Sequence, residues 1–282
     1  IYMGDWSSDV CSSDLSPIDL ETVSGLYIPQ NYDRDFKGPV SVRIALGNSL
    51  NVPAVRTLVL VGVEAFRDRL ASLGYAGLTE DGSFYGFSLA LGSAEVTLWE
   101  QVQAYRTLAR GGRATPLRLT AAASGPAEAV ALPRDASFVV ADILSDPAAR
   151  TMTFGIDSHL DTPFWSAVKT GTSKDMRDNW CIGFSEDFTV GVWIGNFEGD
   201  SMHDVSGVTG AAPVWQDIML ALHAGRRSRP PRAPSTLTNA RIQFTAAHDA
   251  SREEWFLPET AAAPDVRAIW RSEERRVGKE CR

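Results

Sequence analysis

Between residues 163 and 194 the hydrophobic pattern of the chain changes period, and that change limits the kind of fold available to it. Upstream, apolar residues recur at helical spacing. Pro53 is suited to the first position of a helix carrying Val55, Leu58 and Val59, after a helical run from Pro39 to Leu46. Val63, Phe66, Leu70 and Leu73 follow a 3.6-residue period, and Gly74 stands where a C-cap glycine belongs. Thr97-x-x-Glu100 is a capping box for a helix that would bury Leu98, Val102, Tyr105 and Ala109 and end at Gly111-Gly112. A further helix over residues 138–144 stops near Pro147. From Pro163 the signal is different. Residues 164–172, FWSAVKTGT, read as a strand, and the aromatic and β-branched runs 180–184 and 188–194 flank Ser185-Glu186-Asp187 as a hairpin. Pro213 then opens a helix with Val214, Ile218 and Leu222 on one face. A helical block, an antiparallel sheet and a returning helix predict an α+β layered domain.

Composition narrows the function classes. The chain has 282 residues, with 27 Lys and Arg against 35 Asp and Glu for a net charge of -8, which excludes a generally basic nucleic-acid binder. At 44% apolar and 22% charged it is not a disordered chain, and its longest apolar stretch, residues 58–63, is far too short to cross a bilayer. Residues 1–15 and 271–282 carry no usable hydrophobic period, and the first lacks the basic start and apolar run of a signal peptide. Both resemble translated sequencing-adapter read-through. Setting them aside removes Cys11 and Cys281 and leaves Cys181, expected to be a buried small hydrophobe. The expected organisation is then a main domain over 16–225, an Arg/Pro linker over 226–234 (RRSRPPRAP), and the start of a small C-terminal domain over 235–270 that contains Glu254-Trp255-Phe256-Leu257-Pro258. The linker is read as solvated rather than as a phosphate-binding patch, given the acidic total.

The chemistry concentrates in Lys169-Thr170-Gly171-Thr172-Ser173. Strand alternation puts Lys169 and Gly171 on one face and Thr170 and Thr172 on the other. Gly171 removes a side chain where another backbone could approach. An open strand edge of this kind can accept an extended peptide as an added strand, and a cation with nearby hydroxyls suits the peptide's terminal carboxylate. The second element is Ser49-Leu50-Asn51, between two helical runs. Taken alone, Lys-Thr-Gly recurs by chance, and Ser49 and Asn51 fit turn and cap roles. Paired along one chain in helix and strand contexts, they match two parts of the set that, with an upstream Ser-x-x-Lys, marks penicillin-binding proteins and class A β-lactamases.

With Tyr27-x-Pro29-x-Asn31-Tyr32-Asp33, Gly38-Pro39-Val40-Ser41, Gly86-Phe87-Ser88-Leu89-Ala90-Leu91-Gly92, Val96-Thr97-Leu98 and Arg177-Asp178-Asn179-Trp180, the stretch from Ile18 to Leu222 resembles the transpeptidase domain of class A penicillin-binding proteins, nearest to the 1C type. The resemblance implies an antiparallel sheet flanked by helices, with a helical subdomain, and the acyl-transfer chemistry of that fold. A serine attacks the D-Ala-D-Ala amide of a peptidoglycan stem peptide, and an amine of a neighbouring stem resolves the acyl-enzyme. β-Lactams acylate the same serine. By the same resemblance Ser49 relays a proton toward the leaving nitrogen, and Asn51 holds the substrate amide and helps position an upstream lysine. Lys169 sets the positive field, Thr170 and Thr172 hold the substrate carboxylate, and the Thr172 backbone N–H is half of the oxyanion hole. Stem peptides and β-lactams are the implied ligands, with no nucleic acid, no metal and no cofactor. The parent protein would be membrane-anchored, act at the periplasmic face of a bacterial inner membrane, and carry a glycosyltransferase domain.

One part is missing from the pattern. The sole Ser-x-x-Lys in the sequence is Ser166-Ala167-Val168-Lys169, where strand spacing turns positions three apart to opposite faces. In the family the nucleophile's helix precedes the segment matched by residues 27–33, so the expectation is a domain truncated ahead of its nucleophile and unable to form an acyl-enzyme by itself. Two other readings stand beside this one: a penicillin-recognition module that has lost catalysis, and a carboxypeptidase or β-lactamase of the same fold. Other constellations carry less. Gly86-Phe87-Ser88-Leu89-Ala90 lacks the strand–turn–helix context of a nucleophile elbow. His203-Asp204 with Ser201 and Ser206 is adjacency rather than triad geometry, and His159, His203, His223 and His248 lack metal-ligand spacing. Trp165, Trp180 and Trp193 are expected in the core.

Overall fold

A computed structural model describes residues 17–22, 25–38, 40–120, 127–242 and 252–258. The terminal stretches 1–15 and 271–282, with Cys11 and Cys281, lie outside the described residues, as do Pro39 and His248. Strands β1 (Leu20–Thr22) and β2 (Gly25–Tyr27) form a short antiparallel pair with Leu20 opposite Tyr27. Helix α1 (Val42–Gly47) starts at Ser41, whose hydroxyl accepts the Ile44 N–H at 3.2 Å. Helix α2 (Asn51–Val61) begins two residues earlier than Pro53 suggested, so the proline takes the third position. That is still the first turn, where its missing N–H costs no intrahelical bond. The orphan N–H groups of this turn are met from outside: Asn31 Oδ1 accepts from Asn51 N at 2.9 Å and from Val52 N at 3.2 Å.

Gly62, at φ +85°, separates α2 from α3 (Val63–Ser72), whose apolar stripe packs with Leu58, Tyr75, Leu78 and Leu89 in the core of the helical part. The single turn α4 (Gly82–Tyr85) leads into a 3₁₀ turn, Phe87–Leu91, which is where the Gly86–Ala90 segment lies. Helix α5 (Leu98–Ala109) carries both halves of the predicted capping box, Thr97 and Glu100. Tyr105 and Ala109 face the sheet as expected, whereas Leu98, at the first turn, lies over Gly191 and stays 40% exposed. After the two-residue strands β3 (Arg113–Ala114) and β4 (Ala129–Val130), helix α6 (Arg134–Ser145) ends just before Pro147, and the turn α7 (Thr151–Phe154) follows.

The sheet that follows is antiparallel, in the order β5 (Ala167–Thr172), β6 (Asp178–Phe184), β7 (Thr189–Gly195). The predicted hairpin is present, with Trp180 opposite Trp193 and Phe184 opposite Thr189. Strand β5 starts three residues later than the sequence suggested, because residues 162–166 form a turn held by the Thr162 hydroxyl, which donates to Phe164 O at 2.6 Å. One face of the sheet packs Val168, Cys181 and Val192 on α8 (Ala212–Leu222). The other packs Ala167 and Phe184 on α5 and α6, through Tyr105, Ala141 and Leu144. This layering is the predicted α+β arrangement.

Two expectations about the core need correction. The tryptophan that fills it is Trp215, fully buried, while Trp165, Trp180 and Trp193 are half-buried at the sheet's margins. On α8 the buried face is Ala212, Trp215 and Met219, and the face of Val214, Ile218 and Leu222 is exposed. Both faces of that helix are apolar, so periodicity alone could not choose between them. The indole ring chose: Gly183 on β6 leaves the space that the Trp215 ring fills, since a Cβ there would sit 2.5 Å from it.

Beyond α8, within the mostly exposed segment 226–234, Ser228 and Arg229 are held at the β6–β7 turn. Ser228 Oγ donates to Trp165 O at 2.7 Å and accepts from Glu186 N at 3.0 Å, and Arg229 pairs with Glu186. Strands β8 (Thr238–Ile242) and β9 (Arg252–Phe256) then form a hairpin with Ala240 opposite Glu254. The face assignment of α8 has a direct test in urea unfolding. Trp215→Ala is expected to cost roughly 3–5 kcal/mol. Val214→Ala, one residue away, is expected to cost less than about 1 kcal/mol.

Candidate active site

The site is built where the end of α1 meets the open edge of the sheet. Helix α1 closes in a Schellman arrangement: Asn48 is the C-cap, Ser49 N bonds to Leu46 O at 3.2 Å, and Leu50 N bonds to Ala45 O at 3.0 Å. This motif needs a left-handed residue after the cap, and glycine is the usual occupant. Here the residue is Ser49, at φ +57°. A side chain is thus kept at a position where glycine would carry less strain. Asn48, fully buried, fixes the turn: its amide donates to Ala149 O at 2.6 Å and Ile44 O at 3.0 Å, and its Oδ1 accepts from Thr153 N at 2.9 Å.

Ser49 is aimed at Lys169. The Lys169 ammonium donates to Ser49 Oγ and, at 2.7 Å, to Thr170 O, across a sequence separation of 120 residues. Burial pushes Lys169 down from 10.5 to about 8, because the ammonium has lost most of its water. At neutral pH the group therefore remains a cation but gives up its proton far more readily than an exposed lysine. A serine hydroxyl that accepts from this ammonium keeps its own proton free to donate. The pair can thus carry a proton toward a leaving group.

Alternation along β5 turns Lys169 to the helical side of the sheet and Val168 to the α8 side. Beyond β6, no strand pairs with the far edge of β5 among the described residues, so that edge is open. Thr172, exposed at its end, accepts the Gly207 N–H on its hydroxyl at 2.9 Å and retains its own O–H for a ligand. Within the chain, the backbone that comes close to Gly171 is that of Gly207. A Cβ on Gly207 would fall 2.6 Å from Gly171 O and 2.7 Å from Trp180 O, whereas one on Gly171 would make an ordinary 3.6 Å contact with Trp180. The β5–β6 turn is locked by Asp178, which accepts from Ser173 Oγ at 2.8 Å and from Trp193 Nε1 at 2.9 Å.

Of the residues singled out in the sequence, Ser49, Lys169, Thr170, Gly171 and Thr172 lie around one edge. Asn51, the first residue of α2, turns its amide to Gln30 O at 2.8 Å, tying the Ser49 turn to the segment after β2. Ser166 is not a partner of Lys169: it is buried, with its hydroxyl 2.9 Å from Thr162 Oγ1. His203 and Asp204 are exposed, and Ser206 caps the turn 207–211 through Thr209. Cys181 is buried behind the site, and burial pushes its thiol up, away from the reactive thiolate. Asn48, Asn31, Asp178 and Gly207 escaped the sequence reading. Only Asn31 and Asp178, inside the quoted motifs, left any signal there.

Comparison with known proteins gives a consistent picture. A family model described as the penicillin binding protein transpeptidase domain matches residues 19–220. Penicillin-binding protein 1C of Escherichia coli (strain K12) is 33% identical over 201 residues, covering 71% of this chain and 25% of its own length. Penicillin-binding protein 1B of Vibrio cholerae is 30% identical over 218 residues, covering 72% and 27%. The chain spans about a quarter of the length of these curated relatives. Among solved structures, penicillin-binding protein 1A from Haemophilus influenzae superposes with a TM-score of 0.73 at 18% identity, over 90% of this chain and 47% of that one. PonA1 from Mycobacterium tuberculosis, in complex with penicillin V, gives 0.67 at 21%, over 83% and 69%. At these identities the structures speak to the fold, and the fold is the one the sequence implied.

The left-handed serine generates a prediction that inverts a common order. In a helix, glycine is less stable than alanine by roughly 1 kcal/mol. At position 49, where both substitutions lose the same hydroxyl, Ser49→Gly is expected to be more stable than Ser49→Ala by about 1 kcal/mol. Thermal unfolding of the two variants side by side reads the difference. Equal melting temperatures, or a more stable alanine variant, would remove the strain argument.

Proposed function

The chain belongs to the penicillin-binding protein transpeptidase family, as a transpeptidase domain of the class A type, and we propose that it supplies the substrate-binding and proton-relay part of a peptidoglycan D,D-transpeptidase. The observation that carries this reading is the half-buried Lys169–Ser49 pair beside an open strand edge that ends in Thr170 and Thr172. A stem peptide ending in D-Ala-D-Ala adds to the edge of β5 as an extended strand, its main chain bonded to that of residues 170–172. The Thr170 and Thr172 hydroxyls hold its carboxylate within the field of the Lys169 ammonium.

Acyl transfer requires a serine activated by a neighbouring base. The proposed reactive serine belongs to a Ser-x-x-Lys helix supplied by a longer form of the protein, since Ser166-Ala167-Val168-Lys169 is broken up by its own geometry. Attack on the penultimate carbonyl forms the ester bond as the amide bond to the terminal D-alanine breaks. The proton lost by the serine reaches the leaving nitrogen through Ser49, which Lys169 holds in place. The Thr172 N–H and the N–H of the reactive serine stabilise the oxyanion, at roughly 3 kcal/mol per donor. An amine of a second stem then attacks the ester and completes the cross-link. The whole protein is proposed to be anchored at the periplasmic face of an inner membrane, with a glycosyltransferase domain.

Two measurements test the reading. The 282-residue chain alone is expected to remain unlabelled by a fluorescent penicillin, and stoichiometric labelling would contradict the absence of a reactive serine from it. A longer form carrying the Ser-x-x-Lys helix is expected to label, with Lys169→Ala slowing acylation by about 100-fold or more. Given a D-Ala-D-Ala peptide with and without an acceptor amine, that form should favour transfer. Hydrolysis alone would point to a carboxypeptidase, and no reaction to a binding module.

A further inference from the structure

The hairpin of β8 and β9 grips the first turn of the helix that presents Ser49. Arg43, buried on α1, donates Nε–H to Glu254 Oε2 at 2.8 Å and a second N–H to Glu254 Oε1, a two-point fork across 211 residues of sequence. The same guanidinium reaches Asp142 Oδ2 at 2.5 Å and Asp146 Oδ2 at 3.2 Å on and just after α6. Arg252 bonds Glu254 at 3.0 Å and extends to the N-cap hydroxyl of Ser41 at 2.8 Å. Trp255 meets Phe138 of α6 edge-on, with ring centroids 5.4 Å apart. The Glu254 carboxyl is half-buried, yet its two arginines outweigh that burial and hold it below the usual carboxylate range.

A six-residue helix has almost no stability of its own, so its orientation is set by what holds its ends. Asn48 fixes the C-terminal end of α1 to Ala149 and Thr153. The N-terminal end is fixed by Arg43, Ser41 and their partners, of which Glu254, on Arg43, and Arg252, on Ser41, are contributed by the β8–β9 hairpin. The full sequence from Ser41 to Ser49 spans less than three helical turns, so a tilt at the first turn is delivered to the Ser49 hydroxyl.

We propose that Glu254 is a positioning residue for acyl transfer: acting through Arg43, the β8–β9 hairpin sets the angle of α1 and therefore the contact of Ser49 with Lys169. This rests on the acyl-transfer reading for its catalytic consequence, though the brace itself is a structural statement. It also makes the hairpin a point at which anything that binds or displaces the C-terminal unit changes the active site.

The test has two arms. In the 282-residue chain, Glu254→Ala is expected to speed amide hydrogen exchange by at least about tenfold at Ser49 and Leu50, with no change along β6 and β7. In a longer form that carries the reactive serine, Glu254→Ala is expected to slow penicillin acylation roughly tenfold, because small misplacements of a catalytic group are costly. Since Glu254→Ala leaves Arg43 with fewer partners, Trp255→Ala serves as the second variant. It frees the hairpin while Arg43 keeps Asp142 and Asp146, and the same pattern is expected. Arg229→Ala, on the exposed pair with Glu186, should leave both readouts unchanged. Wild-type acylation rates in both hairpin variants, or exchange that rises equally throughout the sheet, would overturn the proposal. If the wild-type longer form is not acylated at all, the functional reading fails, and the exchange arm still decides the brace.

Discussion

A lysine ammonium held out of water against a serine hydroxyl is the constraint around which the rest of this domain is arranged. Removing a cation from solvent is costly unless its donors are met, and Lys169 places two of its three on Ser49 Oγ and Thr170 O. For that to happen, a strand edge and a helix end must be brought together from positions 120 residues apart. The two faces of the sheet do this by burying Ala167 against α5 and α6 and Val168 against α8, which leaves Lys169 no direction but the helical side. Thr170 and Thr172 then lie along the open edge, with the cation beside them.

The helix end is the more delicate half. Ser49 occupies a left-handed position that favours glycine, so the turn has to be imposed on it from its surroundings. Asn48 imposes it from one side through three hydrogen bonds, and Asn31 and Asn51 tie the start of α2 from the other. Arg43 secures the opposite end of α1 in a cluster of three carboxylates. Asn31, Ser41, Arg43 and Asn48 are buried and paired, which makes the turn rigid and makes the loss of any of their partners expensive. Strain at Ser49 and dense hydrogen bonding around it belong to one arrangement.

How much of this could be read from the chain depended on whether the signal was local. The capping box of α5, the stripe of α3 and the β6–β7 hairpin were legible because each is decided within about a dozen residues. The family was legible for another reason: Ser49-Leu50-Asn51 and Lys169-Thr170-Gly171-Thr172 are short and ordered along the sequence. What stayed hidden was decided at long range. Helix α8 is apolar on both faces, so only the Gly183 gap told Trp215 from Val214. The need for glycine at 207 comes from Gly171 and Trp180, on another strand pair. Asn48 looked like any turn residue, and nothing near Arg43 in sequence pointed to Glu254.

The burial of the Lys169 ammonium underlies the whole arrangement, and its titration can be observed directly. With lysine side chains isotopically labelled at Cε, the Lys169 resonance, assigned by loss in Lys169→Arg, can be followed by NMR against pH in the folded chain. A midpoint near 8 is expected, well below the ordinary 10.5, because the ammonium has been taken from water to meet Ser49. A midpoint at the ordinary lysine value would mean a solvated side chain, and the proton relay built on Lys169 and Ser49 would be contradicted.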